Sequence, residues 1–113
     1  MDRKLGALEQ LLMLVTALLG ERAHGLAIRQ ELKKAAGRSV SPGTVYVTMD
    51  RLAAKGLVAA WIGEETPATG GRRRRFYRLT KEGRDLLEAE LRTLTRLGLE
   101  VLPGLREVVG DGA

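Results

Sequence analysis

Residues 41–56, SPGTVYVTMDRLAAKG, leave their backbone little freedom. Ser41 is suited to cap a helix, because its hydroxyl can accept a bond from a free N–H of the first turn. Pro42 fits the first helical position, where the missing N–H costs nothing. Val45, Met49, Leu52 and Ala53 then recur at helical spacing and define one apolar face. Thr44, Tyr46, Val47, Asp50 and Arg51 fall mainly elsewhere on the same helix. Lys55 and Gly56 close it, with a cation at the negative end and a residue free to turn left-handed. What so short a capped helix can do depends on its flanks.

Upstream, Leu5, Leu8, Leu12, Val15 and Leu19 step by three and four residues and predict an amphipathic first helix ending at Gly20. Leu11, Met13 and Leu18 widen its stripe, either toward the core or toward a second subunit. A second helix is predicted over residues 26–36, with Leu26, Ile28 and Leu32 as its apolar residues. Residues 37–40 turn the chain into the capped helix. Helix, short connection and capped helix make a helix-turn-helix.

Downstream the period changes. Residues 57–62, LVAAWI, read as a strand, and the turn-forming cluster of residues 64–71 follows. In RRRRFYRLT, alternation puts Arg73, Arg75, Tyr77 and Leu79 on one side, and Arg72, Arg74, Phe76 and Arg78 on the other. A hairpin directly after a helix-turn-helix is a wing. Thr80 can cap a last helix, in which Leu87, Leu91, Leu94, Gly98, Val101 and Leu105 step by 4, 3, 4, 3 and 4, the 3.5-residue period of a coiled-coil seam. Pro103-Gly104 is expected to kink or end it. The predicted fold is mainly α with a small β-hairpin. Residues 1–80 form a winged helix-turn-helix, 81–109 a C-terminal dimerisation helix and 110–113 a frayed tail.

Charge narrows the partners. Residues 42–84 hold nine basic and four acidic groups, whereas residues 85–113 hold three and six. A basic middle suggests a polyanion, and an acidic tail suggests another task. The absence of cysteine excludes disulfides and thiolate chemistry. No apolar run approaches a membrane span, and Glu9 and Gln10 interrupt the leucine-rich start, so a cytoplasmic protein with no membrane partner is expected. His24 has no second histidine or cysteine to share a metal, and is expected to shape its turn. Glu64 and Glu65 lack a nucleophile, and Ser39 and Ser41 lack a His–Asp partnership. Gly70-Gly71 precedes no Lys-Ser/Thr and helix, so it is no phosphate cradle. No enzyme, metal or cofactor is expected.

The whole resembles the PadR family of winged helix-turn-helix transcriptional regulators, in its small branch with a single C-terminal helix. The resemblance is carried by LGALEQLLMLVTALL, HGLAI, SPGTVYVTMDRLAAKGLVAAW and GGRRRRFYRLTKEGRDLL, and runs from Leu5 to about Leu102. Leu26 stands where the family usually has an aromatic after His-Gly. Val45 and Met49 stand where it has leucines. The resemblance implies a homodimeric DNA-binding regulator, most often a repressor, and some relatives bind planar aromatic effectors in the dimer.

In this frame, helix three is expected to enter the major groove. Thr44, Val47 and Arg51 would read bases, Ser41 would lie at its DNA-facing start, and Tyr46 would pack its ring on the first helix while aiming its hydroxyl at a phosphate. Thr44 could equally serve only as a cap, and Arg51 could pair with Asp50. Arg29, Lys33, Lys34 and Arg38 are expected over adjacent phosphates. Arg72, Arg73, Arg74 and Arg75 are expected on the backbone or in the minor groove, since guanidinium groups pair bidentately with phosphate. Leu8, Leu12, Leu87, Leu91, Leu94, Gly98 and Val101 are the expected dimer contacts. Trp61 is expected in the core or beside a cavity of the dimer, with no ligand fixed. Two rivals share the basic wing: a winged-helix module for an acidic protein partner, and a non-specific nucleic-acid binder. Only a two-fold dimer on DNA leaves a palindromic footprint.

Overall fold

The computed structural model describes residues 4–64 and 73–111, with side chains to Leu105. Three helices come first: α1 (Ala7–Leu19), α2 (Gly25–Ala36) and α3 (Pro42–Ala54), with a single 3-10 turn at Gly20–Arg22. The antiparallel strands β1 (Val58–Ile62) and β2 (Arg75–Leu79) follow, and α4 (Lys81–Asp111) is the last element. The predicted class and element order hold.

The ends of α3 form as their residues dictate. Ser41 Oγ accepts from the Thr44 N–H at 3.1 Å, and Pro42 sits in the first turn. At the other end Gly56 takes φ +77°, which lets Leu57 N–H reach the Leu52 carbonyl at 3.0 Å. A residue with a Cβ resists that left-handed turn. Val45, Thr48, Met49 and Leu52 are buried. Val45, Met49 and Leu52 pack with Leu12, Met13 and Val15 of α1 and with Ile28 and Leu32 of α2 around one core.

α2 starts one residue earlier than predicted. His24 caps it, its Nδ1 accepting from the Ala27 N–H at 3.2 Å. Its core face runs through Gly25, Ile28 and Leu32, spaced three and four apart. Leu26, predicted among the apolar contacts, lies one step (about 100°) round the helix from that face, and it is exposed.

The hairpin docks on the helices through β2. Tyr77 N–H bonds the Ala23 carbonyl at 2.9 Å, and His24 pairs with Phe76 as an extra rung. Across the ladder Ala60 faces Tyr77, and Trp61 faces Phe76. Tyr77 is fully buried on the inner side. Burial pushes its hydroxyl up to about 12, and among the described residues that oxygen has no hydrogen-bond partner. Trp61 does not enter the core. It is 41% exposed on the outer face of the wing, stacked on Phe76 at 5.8 Å, with the Arg78 guanidinium 5.6 Å from its ring centre. Burial falls away along β1, from Val58, which is buried, through Ala59 to the exposed Ala60, Trp61 and Ile62.

Thr80 caps α4 as predicted, accepting from the Gly83 N–H at 3.0 Å while donating to the Gly56 carbonyl at 2.7 Å. Pro103 does not end α4, which continues to Asp111. Proline there removes one bond to the Leu99 carbonyl, a cost that an exposed stretch of helix can pass to solvent. Gly110 and Asp111, expected in a frayed tail, are helical. Among the described residues no helix is long and apolar enough to cross a membrane.

Candidate nucleic-acid interface

One side of α3 turns away from the core. Val47, at 58% exposure, lies there with Asp50 and Arg51, and Thr44 is half-buried near the helix start. The Ser41 and Thr44 hydroxyls lie 2.9 Å apart and share a hydrogen bond. Each oxygen can take part in a further bond, so the capping role leaves a polar contact available.

Tyr46 behaves differently from its expected packing. Its ring lies over the start of α2. A Cβ built on Gly25 would meet its Cζ and hydroxyl oxygen at 3.1 Å each. Glycine therefore belongs at position 25 because the tyrosine ring needs the room. The ring and Gly25, Leu26, Arg29 and Pro42 enclose a small surface cleft of about 190 Å³. Tyr46 thus keeps an edge in solvent between α2 and α3.

On α2, Lys33 and Lys34 are exposed, as is Arg38 in the turn that follows it. Arg29 is half-buried, and its Nε donates to the Val40 carbonyl at 2.7 Å. That bond fixes the turn between α2 and α3, a role its charge alone does not reveal. The guanidinium has further N–H groups to offer.

The arginine run is less uniform than its letters suggest. Arg75 pairs with Asp50 of α3 at 2.8 Å, and its guanidinium sits 5.7 Å from the Tyr77 ring centre. Asp50 thus binds the wing and not Arg51. Arg74 Nη1 lies 2.8 Å from His24 Nε2. A neutral imidazole accepts through one ring nitrogen only, so His24 serves either as the α2 cap or as the acceptor for Arg74. Burial, aided by the Arg74 charge, holds the His24 pKa below its ordinary value and so favours the neutral ring. Arg73 is exposed, and Arg72 lies outside the described residues. Arg75 therefore ties the hairpin to α3, and Arg74 lies against the cap of α2. Sequence reasoning expected His24 to shape its turn, which its cap on α2 fits, but missed its contact with Arg74 and the ion pair of Asp50 with Arg75. The partners are distant in sequence, and no local pattern joins them.

The expected dimer contacts divide in the same way. Leu12 is fully buried and Leu87 nearly so, both inside the core of one chain, and neither is free to meet a partner. Leu8 and Leu91 are partly buried against that core. Leu94 and Val101 are 53% and 52% exposed, and nothing lies within 4 Å of a Cβ built on Gly98. Leu97, Leu99, Leu102 and Leu105, mostly outside the expected seam, are exposed as well. Beside them an open apolar groove of about 650 Å³ runs between α4, Ala17 and Leu79. Among the described residues no cluster of His, Cys, Asp or Glu is arranged to hold a metal.

The sequence profile of the Transcriptional regulator PadR-like family matches residues 13–89. The chain is 43% identical over 89 residues to Transcriptional regulator Rv3488 of Mycobacterium tuberculosis, covering 79% of this chain and 78% of that one. A PadR-like transcriptional regulator from Bacillus cereus shares the fold, with a TM-score of 0.73 at 22% identity over 88% of this chain and 92% of the other. A PadR family transcriptional regulator from Eggerthella lenta aligns with a TM-score of 0.63 at 31% identity, over 87% of this chain and 82% of the other.

Proposed function

This chain belongs to the PadR-like family of transcriptional regulators, and from that premise we propose that it acts as a homodimeric repressor on an inverted-repeat operator. The observation that carries the reading is the Asp50–Arg75 ion pair at 2.8 Å, which ties the base of an arginine-rich hairpin to the outward side of α3. A base-reading helix and a phosphate-binding wing are thereby held next to each other.

Each group then has a task. Val47 offers an apolar contact to a thymine methyl, and Arg51 offers a guanidinium to a base edge or phosphate. Thr44 and Ser41 meet the DNA at the start of α3. Tyr46, Arg29, Lys33, Lys34 and Arg38 bind the backbone beside it, and Arg72, Arg73 and Arg74 bind it from the wing. Arg75 acts mainly through Asp50. The dimer forms through Leu94, Gly98 and Val101 of α4, with Leu8 and Leu91 at the edge of the contact. The sign of regulation follows the resemblance, whose members are most often repressors.

Selection of genomic fragments by the purified protein tests this reading. The expected result is an inverted repeat, on which Val47→Ala and Arg51→Ala lose more affinity than on random duplex. Enrichment of fragments without a shared sequence would favour non-specific binding, and no enrichment would favour a protein partner. In a reporter fused to the selected site, the protein should lower transcription, and a rise would reverse the assigned sign.

The wing gives a separate expected outcome. Arg73→Ala with Arg74→Ala should weaken operator and random duplex alike. For every phosphate no longer neutralised, the slope of log K against log salt should become shallower by about 0.9. A titration from low to moderate salt with an unchanged slope would remove the wing from the interface.

A further inference from the structure

We propose that Glu90 is a positioning residue: it fixes the angle between α4 and the DNA-reading domain, and so sets the half-site spacing that the dimer accepts. This rests on the homodimer reading above.

Glu90 lies on α4, partly buried, and both of its oxygens hold the beginning of the chain. Oε1 accepts from the Leu5 backbone N–H at 3.1 Å, and Oε2 accepts from Gln10 Nε2 at 2.7 Å. One bond leaves a helix free to swivel. Two bonds from one planar carboxylate to points five residues apart fix its rotation as well as its distance. Bonds to a carboxylate are among the stronger kind.

The same short segment is held from the opposite side. Glu9 Oε1 accepts from the Gly6 N–H at 2.8 Å, and its Oε2 meets Lys55 Nζ at 3.1 Å. Lys55 is the C-cap of α3. Burial works against the charged form of Glu9, but the Gly6 bond and the Lys55 charge outweigh it and hold its carboxyl below the usual carboxylate range. Residues 5–10 are thus a clasp between two helices, with Glu90 gripping on the α4 side and Glu9 passing the hold to α3. The Leu5 side chain, buried in the core, keeps the clasp from sliding.

Beyond Leu91, α4 leaves the core, and Leu94 to Leu105 project. From Glu90 to Leu105 the helix extends about 22 Å, so a tilt of roughly 10° at Glu90 displaces its far end by about 4 Å. That is close to the roughly 3.4 Å of one base-pair step. In a two-fold dimer each reading domain is displaced, so a small change at Glu90 becomes a change in half-site separation.

The test uses the full chain and duplexes carrying two selected half-sites, with the spacer shortened or lengthened by one and two base pairs. The wild-type protein should prefer one spacing by roughly tenfold or more. Glu90→Ala and Gln10→Ala should flatten that preference, while sedimentation still shows a dimer and affinity for a single half-site stays unchanged. Glu90→Gln keeps an acceptor for Leu5 and should lie between. Without DNA, amide exchange over residues 5–10 should quicken in Glu90→Ala. A folded, dimeric Glu90→Ala protein with the wild-type spacing profile overturns the proposal. If Glu90→Ala does not fold, the spacing profile of Gln10→Ala decides by the same criterion. A wild-type protein that is monomeric, or selects no inverted repeat, overturns the homodimer reading and this proposal together, and that failure is visible before any variant is made.

Discussion

Gly83→Ala should destabilise the fold by about 3 kcal/mol and lower its melting temperature by on the order of 10 °C. Gly83 lies buried in the first turn of α4, where a Cβ would land on the Leu57 carbonyl oxygen and 2.9 Å from its carbon. The obstacle is backbone, and it has no rotamer through which to yield. That carbonyl accepts from the Thr80 N–H at 3.1 Å, while the Thr80 hydroxyl joins Gly56 to Gly83. Admitting a methyl group means moving α4 off the end of α3, which breaks several of these bonds together. Gly104→Ala is the control, since open space surrounds position 104 in the same helix and alanine suits a helix interior better by roughly 0.5–1 kcal/mol. Thermal melts in which Gly83→Ala keeps wild-type stability would show that α4 is seated differently.

How much of this is legible in the sequence follows the range of the forces involved. The two ends of α3 are readable because capping is local: a hydroxyl bonds an N–H three residues on, and a glycine turns the chain after the last carbonyl. The wing is readable from the change of period after Gly56. Expectation and structure part where a neighbour decides. The stripe on α1 gives the direction of its buried face but not its width. Met13 and Thr16 are buried too, Thr16 bonding the Leu12 carbonyl at 2.7 Å. The seam on α4 is only partly buried, since a heptad pattern cannot say which leucines the chain's own domain will claim. Leu87 goes to the core and Leu94 does not.

The candidate site divides along the same line. Val47, Arg51, Lys33 and Arg38 are legible as exposed polar or apolar groups near a capped helix, and the fold leaves them exposed. The pairing of Asp50 with Arg75, and of His24 with Arg74, depends on how the hairpin folds back over α2 and α3. No spacing rule carries that information. Arg29 illustrates the overlap best: a cation expected over phosphate bonds the Val40 carbonyl and locks that turn.

Leu94→Glu should convert the dimer to monomer and weaken operator binding by about two orders of magnitude. Leu94, Val101 and Leu105 are each about half exposed in the single chain, on a helix that leaves its own core at Leu91. A contiguous apolar face of this kind is rarely left to solvent. Completing the burial of each half-exposed side chain is worth ~0.7–1.5 kcal/mol, and symmetry doubles the count, which works against the cost of association. A carboxylate at position 94 reverses the balance, because an unpaired charge resists burial by several kcal/mol. The fold of each subunit should persist, since Leu94 is outside the packed core. Position 94 lies one turn from Glu90, where like charges repel by a few tenths of a kcal/mol. Leu94→Ser therefore serves as a neutral second variant, expected to weaken the dimer in the same direction. One half-site gripped by a monomer is held weakly, so loss of the dimer and loss of tight operator binding should appear together across a dilution series. Sedimentation that finds Leu94→Glu still dimeric at micromolar concentration would move the interface to α1, where Leu18 stands 67% exposed beside Ala17.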